Sequence, residues 1–184
     1  QFSHRNIIIN GAMQIAQYSS SSTSSGYQVI DRFPVYLNGA DENPTVSHAD
    51  VASGTTPYTL GFRTALKITN GNQTSGAGSN DYVWIQQKIE AHNIAQSGWN
   101  YLSSSSFITL SFWVKSSVAQ TFKGYIETID GTAYQYPFET GSLSANTWTK
   151  ITKHIPGNSN LQFDNNKDEG FKLSIIPMMG TDKT

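Results

Sequence analysis

Phe107-Ile108-Thr109-Leu110-Ser111-Phe112-Trp113-Val114-Lys115 decides the fold class. Ile108, Leu110, Phe112 and Val114 share one side of an extended chain, while Thr109 and Ser111 share the other, the period of two that marks a half-buried strand. Downstream, Phe122 to Ile129 and Thr132 to Phe138 flank Asp130-Gly131, a pair suited to positive φ at both positions of a two-residue hairpin turn. Trp148 to Ile155 and Phe171 to Ile176 complete the C-terminal set, separated by Pro156-Gly157-Asn158.

Upstream the pattern is less regular. Tyr82 to Glu90 predicts a strand with Val83, Ile85 and Gln87 on one face and Tyr82, Trp84 and Gln86 on the other. Leu60 to Ile68 approximates period two and stops at Asn70-Gly71. Tyr27 to Leu37 alternates imperfectly, and Pro34 confines it to an edge or a bulge. The β-branched run Ile7-Ile8-Ile9 halts at Asn10-Gly11, with Ala12 to Gln17 continuing as a strand. Asn38 to Pro57 holds at most one short strand, and Ala91 to Trp99 a helical turn. Ser19 to Gly26 and Asn70 to Asn80 are polar and low in complexity, and read as flexible loops. No segment offers twelve residues of helical period, so residues 1–184 are expected to form a single all-β domain, a two-sheet antiparallel β-sandwich with long polar loops.

Composition narrows the function. Only 14% of the residues are charged, against about 25% in ordinary soluble domains; Ser, Thr, Asn, Gln and Gly fill the difference. Net charge is −1 and the Lys and Arg residues are scattered, which disfavours nucleic-acid binding by counterion release. No apolar run or basic amphipathic helix suits membrane insertion. The absence of cysteine removes disulfides, thiolate catalysis and thiolate metal sites. A skin of amides and hydroxyls suits packing into an oligomer, because few charges need desolvating.

Arg5 to Gln17 (RNIIINGAMQIAQ), followed by Gly26 to Phe33 (GYQVIDRF), resembles a recurrent opening of bacteriophage tail-fibre and appendage domains. Phe107 to Ser116, Ser144 to Pro156 and Gly180-Thr181-Asp182 fit the same pattern. The resemblance implies a jelly roll like that of carbohydrate-binding modules, carried on a virion, at its outer surface or tail. It further implies other virion proteins and copies of the same chain as partners, a trimer being favoured, with a host cell-surface glycan as a further partner. Relatives continue past Gly180-Thr181-Asp182 into closing strands that are missing here, so the chain is expected to be a segment of a longer polypeptide. Carbohydrate-binding jelly rolls often hold a structural calcium ion with carboxylates and carbonyls; the resemblance points to Asp31, Asp41 and Glu42 for it, and otherwise implies no cofactor.

No catalytic residues are expected. Carboxylates abound, among them Glu90, Glu127, Asp130, Glu139, Asp164, Asp168 and Glu169, but the sequence fixes no facing pair of the kind a glycosidase needs. A non-enzymatic module is the first reading, a carbohydrate-binding module the alternative, and a glycosidase or depolymerase the third. For sugar, a two-residue turn at Asp130-Gly131 sets Tyr125 opposite Tyr136 and Glu127 opposite Tyr134, giving four side chains on one face. The favoured alternative for the same residues is core packing or an inter-subunit contact. Trp99, among loop residues, is the candidate exposed ring, whereas Trp84, Trp113 and Trp148 sit inside strands.

Overall fold

The computed structural model describes residues 6–183. Arg5, the first residue of the opening motif, lies outside them. Ten strands run among the described residues: β1 (Ser21–Ser22), β2 (Val35–Asn38), β3 (Thr45–Asp50), β4 (Thr64–Thr69), β5 (Tyr82–Glu90), β6 (Phe107–Val114), β7 (Thr121–Thr128), β8 (Gln135–Ser142), β9 (Thr149–Pro156) and β10 (Glu169–Met179). Two short helices, α1 (Thr56–Thr59) and α2 (Ala91–Ala95), precede β4 and follow β5. Strand order is β1-β3-β4 in one sheet, β2-β5-β10-β7-β8 in a second and β6-β9 in a third. The all-β antiparallel class expected from the alternation is what the chain adopts.

Packing resolves two compact units, residues 6–9 with 88–174, and residues 10–87 with 175–183. In the first, β6 and β9 pair from Phe107 against Pro156 to Val114 against Thr149. Leu110, Ile151 and Ile155 of that pair are buried, as are Ile126, Phe138, Phe171 and Leu173 of β7, β8 and β10. The Phe112 and Phe138 rings meet with centroids 6.3 Å apart, so the β6–β9 pair and the neighbouring sheet face one another across an apolar layer. Each such side chain, fully buried, contributes about 1.5–3 kcal/mol. The alternation of residues 107–114 thus places its apolar side as expected.

The second unit buries Val29, Ile30, Phe33, Val35, Val46, Val51 and Val83. Here the sequence-based expectations fail in instructive places. Ile7-Ile8-Ile9 and Ala12 to Gln17 form no strand. The reason is Asn10, whose φ is 55°. Its Nδ2 donates to the carbonyls of Ile15 and Asp31, both at 2.9 Å, and its Oδ1 accepts from the amides of Gln14 and Ile15, both at 3.0 Å. Asp31 closes the arrangement: its amide donates to Ile15 O at 3.0 Å and its Oδ1 accepts the Gln17 amide at 3.0 Å. The two halves of the opening motif are therefore one hydrogen-bonded knot, and a strand there would break it.

Ser19 to Gly26, expected as a flexible loop, contributes β1, with Ser21 opposite Ser47 and Ser22 opposite Val46. Gly180 of the other motif donates its amide to Asp81 O at 2.7 Å, and a Cβ on it would run into the carbonyl oxygens of Gly78 and Ser79.

Replacing Asn10 should therefore cost stability through lost hydrogen bonds rather than lost apolar contact. Asn10→Gly accepts the positive φ yet removes the side-chain bonds, so we expect about 1–3 kcal/mol of destabilisation, read as a fall of roughly 3–10 °C in Tm. A Gly variant that melts with the wild type would refute the role given to this side chain.

Candidate functional site

The β7–β8 hairpin was the stretch from which the sequence built a stacking platform, and its register differs by one residue. Glu127 lies opposite Gln135, Ile126 opposite Tyr136, Tyr125 opposite Pro137 and Gly124 opposite Phe138. The turn is longer than Asp130-Gly131 because both residues are taken up elsewhere. Asp130 Oδ2 accepts the Asp164 amide at 2.9 Å, and the Ile129 amide donates to Gly170 O at 3.0 Å. Closure falls to Thr128, whose amide donates to Tyr134 O at 2.9 Å while its Oγ1 accepts the Tyr134 amide at 3.1 Å.

A slip of one residue turns every side chain of a strand to the opposite face. Tyr125 and Glu127 consequently share a face with Pro137 and Gln135, and Tyr136 shares the other with the core residue Ile126. The four-residue platform does not exist. Tyr136 instead donates its hydroxyl to His154 O at 3.4 Å. Trp99 is corrected as well: it is 9% exposed, donates Nε1 to Ser106 O at 3.3 Å and packs with Tyr101 and Phe163. Its ring borders a cleft of about 480 Å³ lined also by Ile108, Leu110, Ile126, Phe171 and Leu173.

What the hairpin does carry is an ion pair. Glu127 is bonded to the Lys172 ammonium, with both side chains less than a fifth exposed, and accepts from Gln135 Nε2 at 2.9 Å. Burial by itself would push the Glu127 carboxyl upward, but the hydrogen bonds from Lys172 and Gln135, with the charge of Lys172, outweigh it and hold the group below its ordinary value.

The three carboxylates assigned to calcium each accept hydrogen bonds from the protein. Asp31 belongs to the Asn10 knot. Asp41 accepts from the Ser75 amide at 2.7 Å, from Ser75 Oγ at 2.6 Å and from Thr74 Oγ1 at 3.3 Å; the Ser75 bonds draw its pKa down. Glu42 Oε2 accepts the Asn72 amide at 2.7 Å. These contacts tie the polar stretch 70–80 to residues 41–42. Among the described residues no three His, Asp or Glu side chains converge into a metal-binding group.

No protein-family model and no curated protein matches the chain. Among solved structures it is similar to the crystal structure of the enzymatically active domain of tailspike protein 4 from bacteriophage CBA120, with a TM-score of 0.52 and 14% identity. The likeness covers 95% of this chain and 20% of that one, so the chain spans about a fifth of its length. It is a likeness of fold.

Lys172 was the residue the sequence could not supply. It sits between apolar neighbours in Phe171-Lys172-Leu173 as any outward strand position would, and nothing local marks it as the partner of a glutamate 45 positions earlier. The hairpin error had a local sign: Asp130-Gly131 resembles a two-residue turn only while Asp130 is free to serve it.

Ionised Glu127 stabilises the fold, and its folded pKa lies below its unfolded value near 4.5. The unfolded state then binds more protons in the acid range, so this contribution is complete above about pH 4.5 and disappears as pH falls through the folded pKa. Glu127→Gln should cost about 1–3 kcal/mol at neutral pH by leaving Lys172 unpaired. Thermal melts from pH 7 down to pH 3 check this: the gap between variant and wild type narrows with acidity, and a constant gap contradicts the pairing.

Proposed function

We propose that this chain is a non-enzymatic structural module of a bacteriophage particle, part of a tail fibre, tail appendage or capsid-surface decoration. The observation that carries this reading is the fold likeness to a phage tailspike protein, which takes in 95% of this chain but a fifth of that one, as a module within a longer appendage protein would. The opening motif supports it from the other side. Its residues are spent on the Asn10–Asp31 knot, so the likeness to phage appendage domains is one of scaffold.

The module assembles with copies of itself, as a trimer, and with other virion proteins, its outer surface reaching the host. A surface with few charges favours such packing, because ions are costly to desolvate at an interface. The tailspike neighbour is described as enzymatically active, and that activity belongs to the neighbour. Here Glu127 is engaged by Lys172 and Gln135 and kept ionised, unlike a general acid, whose pKa is raised.

Quantitative mass spectrometry of gradient-purified particles, with multi-angle light scattering of the isolated chain, tests the reading. We expect the chain in the particle fraction at a copy number divisible by three, and a trimer in solution. Recovery solely from the particle-free lysate would sink it. So would release of reducing ends from a host polysaccharide that Glu127→Gln abolishes.

A further inference from the structure

Asn-Gly occurs at Asn10-Gly11, Asn38-Gly39 and Asn70-Gly71. The pair is a turn former, and it is also the setting in which the asparagine amide is least durable. With no Cβ to hinder it, a glycine amide nitrogen swings onto the preceding side chain, attacks the carboxamide carbon and closes a succinimide ring. The carboxamide must be free to rotate for this, and the glycine amide free of other partners. Asn10 fails the first condition: its Nδ2 donates to Ile15 O and Asp31 O while its Oδ1 accepts the Gln14 and Ile15 amides. Asn38 is exposed but lies in β2 opposite Tyr82. Its Nδ2, the group that has to depart, is held by Asn80 O at 3.2 Å. Gly39 is confined as well, since a Cβ there would run into Asp81 Oδ1.

Asn70 meets both conditions. It follows β4 and is exposed, and among the described residues neither its carboxamide nor the Gly71 amide has a hydrogen-bond partner. The chain is pinned again at Asn72, whose amide donates to Glu42 Oε2 at 2.7 Å. Every hydrogen bond that has to break first adds its free energy to the barrier, roughly a tenfold loss of rate for one bond. Asn38 is therefore slower than Asn70, and Asn10, with four bonds, slower still. One effect runs the other way. The Glu42 side chain passes beside Gly71, and its negative charge opposes loss of the Gly71 amide proton. Glu42 is exposed, so screening limits this retardation to a few-fold and leaves the order intact.

We propose that Asn70 is a site of spontaneous deamidation whose products loosen the clip between residues 70–80 and 41–42. The Gly71 nitrogen, its proton taken by hydroxide, bonds to Asn70 Cγ; the Cγ–Nδ2 bond breaks and ammonia leaves. Water then opens the succinimide at either carbonyl, giving aspartate or isoaspartate. The balance is a water taken up and an ammonia released, with no oxidant, enzyme or cofactor. Either product sets a new carboxylate in the cleft that Asn70 and Glu42 both line, close to the Glu42 carboxylate that holds the Asn72 amide. Isoaspartate also inserts a carbon into the backbone just before that amide. The site is independent of the virion reading, which stands or falls without it.

The test ages the intact chain for weeks at physiological temperature in mildly alkaline buffer, both folded and unfolded in guanidinium chloride. Trypsin places the Asn-Gly pairs on separate peptides, residues 6–32, 33–63 and 68–88, and tandem mass spectrometry reads the conversion of each amide to acid. In the folded chain we expect Asn70 to convert roughly tenfold faster than Asn38 or more, with Asn10 the slowest. In denaturant the rates should converge, because the hydrogen bonds that separate them are gone. Asn70→Gln should leave position 70 unconverted over the same period. Asn70→Asp supplies the charge without the rearrangement, and should lower hydrogen-exchange protection of the Asn72 amide about two- to fivefold, the aged wild type at least as much. An exposed side chain without bonds tolerates both substitutions, so folding does not confound them. The proposal is overturned if folded Asn70 converts no faster than Asn38 or Asn10. It is overturned equally if protection at Asn72 is the same in fresh protein, aged protein and Asn70→Asp.

Discussion

A backbone N–H or C=O takes its partner from a ladder, a side chain or water, and much of the N-terminal half of this chain has no ladder to provide one. Asn and Asp side chains provide it instead. Asn10 satisfies two amides and two carbonyls at once; Asp31 holds Gln17; Asp41 and Glu42 hold the amides of Ser75 and Asn72; and Asp81, 8% exposed, takes the Gly78 amide at 2.6 Å. Long irregular segments thereby keep fixed conformations without strands.

That arrangement explains where sequence reading succeeded. Strands β5 to β10 were legible because their alternation is written in the side chains themselves: Leu110 turns inward and Thr109 outward whatever the rest of the chain does. The helical turn at Ala91–Ala95 was legible for a similarly local reason. The run Ile7-Ile8-Ile9 was not, because its β propensity is overridden by Asn10, whose partners lie as far off as Asp31. Propensity is a weak prior where a side chain offers the backbone a competing set of bonds. Likewise Ser21–Ser22 has no apolar pattern to announce it, and pairs with β3 through its backbone.

The candidate site was less legible than the fold, and one residue of register accounts for much of the difference. Fold class survives a slip, since an antiparallel hairpin remains an antiparallel hairpin. A surface constellation does not, because every member changes neighbours. Asp130 decided the matter by binding the Asp164 amide, a segment more than thirty positions away. Trp99 shows the same limit for burial. Its place in Gly98-Trp99-Asn100 suggests a loop tip, yet Phe163 and Tyr101 close over the ring.

The motif residues serve the scaffold. Asn10, Asp31 and Gly180 answer to the backbone: their chemistry is consumed within the chain, and any replacement must reproduce a hydrogen bond or a close approach. On β2 and β5, by contrast, the burial of Val35 and Val83 anchors the pair. On physical grounds the motif specifies a scaffold: a chain that keeps Asn10, Asp31 and Gly180 keeps the backbone hydrogen bonds and the close approach that they serve.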